Sequence, residues 1–121
     1  MAYKTGQDLI EEAKQQIDEV TPEEVCEMQA RGEGVMYLDV REPNEWNLGH
    51  LPHAIHLPRG NLEGKVEGII SDRSQKVVIY CARGNRSALA ALTLQQMGYE
   101  NVCSMERGIQ GWAEIGGEIA D

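Results

Sequence analysis

The sequence contains no phenylalanine, and only two tryptophans and four tyrosines. Aliphatic side chains must therefore build most of any core. Long apolar runs are also missing. Nothing approaches the roughly 20 residues that a membrane-spanning helix needs. The opening MAYKTGQDLIEEAKQQ lacks the hydrophobic stretch of a secretory leader, so a cytoplasmic location is the expectation. Cysteine is sparse: Cys26, Cys81 and Cys103 are odd in number and far apart, with no CxxC pair. That argues against a disulfide framework and leaves at least one free thiol. Positive charge is scarce as well, with 11 basic against 20 acidic residues and a net charge of −9. This balance argues against general nucleic-acid or anionic-membrane binding and against such partners. There are no internal repeats and no low-complexity segments.

What is present suits one domain with one core: 121 residues, 41% of them hydrophobic. Residues 7–18 place Leu9, Ile10, Ala13 and Ile17 on one helical face. We read residues 1–18 as an N-terminal helical extension packed on a main domain of residues 19–121. Thr21, Pro22 and Glu24 form a helix start with a capping box, and Gly32 suits its end. VMYLDV (35–40) and KVVIY (76–80) are continuous apolar runs, as expected of strands buried on both faces. AIHLP (54–58) and NVCSM (101–105) read as shorter strands. A short helix after Pro43, a helix over 61–70, an apolar helix over 87–97 and a final helix carrying Trp112 complete the pattern. Strands alternating with helices imply an α/β fold: a mainly parallel central sheet with helices on both faces. In such sheets ligands sit beyond the carboxyl ends of the strands. Asp39, Arg41 and Cys81 all fall there.

IYCARGNRSA (79–88) carries the chemistry. Cys81 ends a strand, a loop with Arg83, Gly84 and Arg86 follows, and the next helix begins near Ser87. Loop N–H groups can form an anion nest, the helix terminus adds partial positive charge, and two arginines add full charges. Each favours thiolate over thiol, and thiolate is the attacking form of sulfur. Three readings compete: a reactive sulfur, a phosphate-type cradle, or a buried cysteine beside a turn. The cradle lacks the GxxxxGK[ST] of a nucleotide-binding loop. Cysteine phosphatases carry C-x5-R, whereas Arg86 here gives C-x4-R. A loop one residue shorter encloses less space, which suits one extra sulfur atom better than a phosphate or arsenate. Cys26, beside Val25 and Met28 on a helix, and Cys103, inside a strand, read as packing residues.

CARGNRS resembles the active-site loop of rhodanese-fold sulfurtransferases, C-x-x-G-x-R-[ST]. LDVREPNEWNLGHLPHAIHLP resembles that family's first signature, and RGIQGWAEIGGEI its C-terminal one. The likeness spans about residues 19–119. It implies a Cys81 persulfide formed from a small donor such as thiosulfate or another persulfide. Cyanide, a thiol or a protein cysteine would then remove the sulfur. The loop residues Ala82, Arg83, Gly84, Asn85, Arg86 and Ser87 would hold the persulfide, without metal or organic cofactor. A relay protein with little thiosulfate turnover is the alternative. A phosphatase or arsenate reductase is a further one, disfavoured by loop length.

Family analogy pairs Arg86 with a carboxylate, for which Asp39 is the candidate. Arg83, more exposed, suits recognition of an anionic donor. Arg41 and Glu45 are four apart, a spacing that allows an ion pair supporting the site. Trp46 and Trp112 read as core. His50, His53 and His56 recur every third residue, but Pro52 breaks the segment and no further ligand completes a metal set.

Overall fold

The computed structural model describes residues 2–121, so Met1 of the expected N-terminal extension lies outside it. The elements are α1 (Gly6–Gln16), β1 (Asp18–Val20), α2 (Pro22–Arg31), β2 (Val35–Asp39), α3 (Pro43–Trp46), β3 (Ala54–His56), a 3-10 turn at Arg59–Asn61, α4 (Leu62–Ile69), β4 (Lys76–Tyr80), α5 (Asn85–Gln96), β5 (Val102–Met105) and α6 (Gly108–Glu114). The strands form a five-stranded sheet in the order β1-β5-β4-β2-β3. Every pairing in it is parallel.

Side-chain alternation along the strands divides the core in two. Leu38, Val77 and Ile79 face one side, with Ala88, Ala91 and Leu94 of α5, Ala13 of α1 and Val66 of α4. Tyr37, Val78 and Tyr80 face the other, with Val25 and Met28 of α2 and Trp112 of α6. Helices thus cover both faces, as the near-continuous apolar character of β2 and β4 requires. Cys81 continues the 77–79 alternation and joins the α5 side.

Several expectations need correction. The first helix stops at Gln16, and Asp18–Val20 form an edge strand paired with Cys103–Met105. Its charged residues lie at the exposed sheet margin, where a strand needs no apolar side chains. The expected 61–70 helix is present as α4, with the 3-10 turn at Arg59–Asn61 leading into it. Leu9 is 50% exposed while Ala13 is fully buried, so only the C-terminal part of the α1 stripe packs. Cys26 is exposed, not a packing residue, because α2 buries the neighbouring Val25 and Met28 instead. Trp112 is 1% exposed, with Nε1–H donating to the Glu118 carbonyl at 2.8 Å. Trp46 is only half-buried, stacked with the rings of His50 at 3.6 Å and His56 at 4.9 Å.

The connection after β2 leads to β3 on one flank, and that after β4 leads to β5 on the other. Between the carboxyl ends of β2 and β4 the chain directions diverge, which opens the crevice where α/β sheets hold their ligands. Cys81 stands at that point.

Candidate active site

The loop after β4 is tied down from behind. The α6 amides of Ile109 and Gln110 donate to the carbonyls of Cys81 and Ala82 at 2.9 and 3.1 Å. These are N-terminal helix donors that have no partner within their own helix. The planar peptide sets each N–H opposite the preceding carbonyl. Pulling both carbonyls toward α6 therefore turns the Ala82 and Arg83 N–H groups away from it. Gly84 follows with φ +99, a left-handed conformation that glycine adopts at little cost. Its N–H reaches Cys81 Sγ at 3.1 Å.

The next helix starts at Asn85, two residues earlier than the sequence suggests. Gly84 is its N-cap and has no side chain to offer. The Cys81 sulfur takes that role, accepting the Ser87 N–H at 3.4 Å. The capping group thus lies six residues before the N–H that it accepts. Ser87 Oγ lies 3.5 Å from the sulfur and 2.8 Å from Ser104 Oγ. Cys81 is 1% exposed. It lines a cavity of about 170 Å³ with Ala82, Arg83, Asn85 and Arg86.

The charged residues pair differently from the sequence expectation. Arg86 does not reach Asp39. Its two terminal nitrogens take both Glu45 oxygens at 2.8 and 2.9 Å, a planar fork that joins α5 to α3. Arg41 does not pair with Glu45. It turns back to the fully buried Asp39, with Nη2 at 2.7 Å from Asp39 Oδ2, and also holds the Gly49 carbonyl. Arg41 precedes α3, so helical spacing does not govern it. In extended chain, residues two apart share a side. Asp39 and Arg41 thus brace the wall beside Tyr80 without lining the cavity. Arg83 is exposed and has no carboxylate partner among the described residues. Arg86, by contrast, is committed to Glu45.

The Glu45 carboxyl is held down at about 2. The Arg86 guanidinium is the main cause; burial opposes it, and the Glu42 N–H adds a further hydrogen bond. A carboxyl held below its ordinary value of 4.5 stabilises the fold above that pH, and the contribution fades between about 4.5 and 2. The pair is 27% and 38% exposed. The worth of the full shift, about 3 kcal/mol, therefore falls to about 1–2 kcal/mol. Glu45→Gln should lose about that much stability at pH 7. Urea denaturation at pH 7 and pH 3 should show the gap between variant and wild type closing at the lower pH.

Sequence reasoning missed Ser104, Gly108 and the α6 amides. A serine inside the buried run VCSM was the available signal for the first. A Cβ on Gly108 would overlap the Cys81 carbonyl and the Ala82 backbone. Cys103 has the packing role expected of it. Burial pushes its thiol up to about 11, and its Sγ lies 3.7 Å from the Val77 carbonyl oxygen.

The model of the Rhodanese-like domain family matches residues 21–115. The chain belongs to the rhodanese-like family. A sulfurtransferase of Allochromatium vinosum is 36% identical over 100 residues, covering 83% of this chain and 92% of that protein. YrkF of Bacillus subtilis, provisionally named a sulfur carrier protein, is 31% identical over 66% of this chain and 42% of its own. Among solved structures, RPA3614 of Rhodopseudomonas palustris has a TM-score of 0.92 at 31% identity, covering 99% of this chain and 97% of that one. It is described as of unknown function, with tyrosine phosphatase activity suggested. A rhodanese-related protein of Thermoplasma volcanium has a TM-score of 0.76 at 34% identity, covering 85% of this chain and 97% of its own. The rhodanese-like match takes in β2, β4, β5 and the whole Cys81 loop. Among the described residues, no helix is long and apolar enough to cross a membrane.

Proposed function

We propose that the protein is a sulfurtransferase that carries sulfane sulfur as a persulfide on Cys81. The observation that carries this reading is the Cys81 sulfur at the α5 N-terminus, with the Gly84 and Ser87 N–H groups at 3.1 and 3.4 Å. Those donors stabilise negative charge on sulfur before and after transfer. The Cys81 thiolate attacks the outer sulfur of thiosulfate. The S–S bond of the donor breaks, and sulfite leaves with its electron pair. Cyanide, a small thiolate or a protein thiolate then attacks the outer sulfur of the persulfide, and Cys81 departs as thiolate. Arg83 meets the anionic donor, while Arg86 holds the loop through Glu45. Family membership and the Allochromatium vinosum relative support sulfur transfer in general; thiosulfate as donor is our own choice.

Likeness to YrkF favours a second reading, in which the protein relays sulfur to a protein cysteine and turns over thiosulfate poorly. A phosphatase reading, raised by the name of the Rhodopseudomonas palustris neighbour, asks Arg86 to grip a phosphoryl group. That guanidinium already spends its fork on Glu45. Steady-state rates with thiosulfate and cyanide varied together test the proposal. Parallel double-reciprocal lines are expected of a two-step transfer. Intersecting lines would count against a free persulfide intermediate. Turnover confined to protein thiol acceptors would favour the relay, and hydrolysis of p-nitrophenyl phosphate would favour the phosphatase.

A further inference from the structure

Two hydroxyl groups lie behind the Cys81 sulfur, and only the nearer belongs to the loop. Ser87 and Ser104 are both fully buried. Ser104 comes from β5, and its Oγ lies 2.8 Å from Ser87 Oγ. Among the described residues it has no other side-chain hydrogen bond. Each hydroxyl owns a single hydrogen. The Ser104 hydrogen either goes to Ser87 Oγ or goes unused, and an unused buried donor is costly. Once Ser87 Oγ accepts it, the Ser87 hydrogen is left for the sulfur 3.5 Å away. A protonated sulfur brings a third hydrogen to the same two contacts: with S–H donating to Ser87 Oγ, either the Ser87 or the Ser104 hydrogen is left without a partner. The chain is therefore fully satisfied only when sulfur accepts.

We propose that Ser104 is a positioning residue that turns the Ser87 hydroxyl onto the Cys81 sulfur and so favours its anionic, sulfur-accepting state. This rests on reading Cys81 as the nucleophile that bears the transferred sulfur. The other charged groups around the loop are Arg83 and Arg86, Glu42 and Glu45 at the start of α3, and Glu106 and Arg107 after β5. All are common to the variants compared below.

The test is the pH profile of Cys81 alkylation by iodoacetamide, resolved peptide by peptide because Cys26 is exposed. It needs no sulfur donor, so its outcome is separable from that of the sulfur-transfer proposal. Ser104→Ala should move the profile upward by about half a pH unit. Ser104→Thr, which keeps the hydroxyl, should restore the wild-type profile. In a Ser87→Ala background, Ser104→Ala should add no further shift. Superimposed profiles for Ser104→Ala and wild type would overturn the proposal. So would a shift of equal size without Ser87, since Ser104 would then act by another route. If the shifts appear as expected in a protein that transfers no sulfur, the hydroxyl chain stands and the sulfur-transfer reading falls.

Discussion

Cys81→Ser is expected to abolish sulfur transfer, lowering turnover by at least about a thousandfold, because no covalent route remains. The fold should survive. Serine is nearly the same size, and its oxygen can accept the Ser87 N–H and so still cap α5. The other two cysteines provide controls. Cys26 is exposed on α2, away from the loop, and Cys103 is buried with its thiol pushed up to about 11. Serine at either position should leave turnover unchanged. Loss of activity in Cys103→Ser with an unchanged melting temperature would point to a second reacting thiol and against the scheme.

Gly108→Ala should have the largest effect on stability and activity together. Gly108 has φ +54, and a Cβ there would meet the Cys81 carbonyl and the Ala82 backbone. Those atoms belong to the loop and to the hydrogen bonds that Ile109 and Gln110 make with it. Backbone cannot swing aside as a flexible side chain can. Left-handed strain and overpacking together should cost about 2–4 kcal/mol. For a domain of this size that is a fall of about 8–16 °C in Tm. Activity should drop further than the unfolded fraction explains, because relieving the clash moves the carbonyls that set the loop. Arg107 is the matched control, with φ +63 and an exposed side chain paired to Glu23. Arg107→Gly relieves strain at the cost of a surface ion pair, so its Tm should stay close to wild type. Equal falls in Tm for the two variants would show that the clash with the loop is not the cause.

These effects were legible in the sequence to different depths. β2 and β4 declared themselves because a strand buried on both faces must be apolar throughout, and VMYLD and KVVIY are nearly so. β1 did not, since Asp18 and Glu19 sit on an exposed edge where pairing is made by backbone alone. The sequence singled out Cys81, Asp39, Arg41, Glu45 and Arg86, yet it mispaired the charges. Local spacing suggested Arg41 with Glu45, but tertiary approach brings Arg86 across 41 residues to Glu45. That leaves Arg41 to the adjacent Asp39. Such choices depend on where α3 lies against α5, which no local pattern encodes. The same holds for Ser104 and for the α6 amides behind the loop. Each makes a contact between elements distant in the chain; the serine in the buried run VCSM stands out, but no local spacing says which residue it meets.

Transfer by this route requires sulfur to become covalently attached to Cys81. Intact-mass measurement after incubation with thiosulfate and removal of excess donor tests this most directly. Wild-type protein should gain about 32 Da, the mass of one sulfur atom, and lose it on addition of cyanide. Cys81→Ser should gain nothing. An unmodified wild type that still forms thiocyanate, or an adduct that survives in Cys81→Ser, would contradict the account.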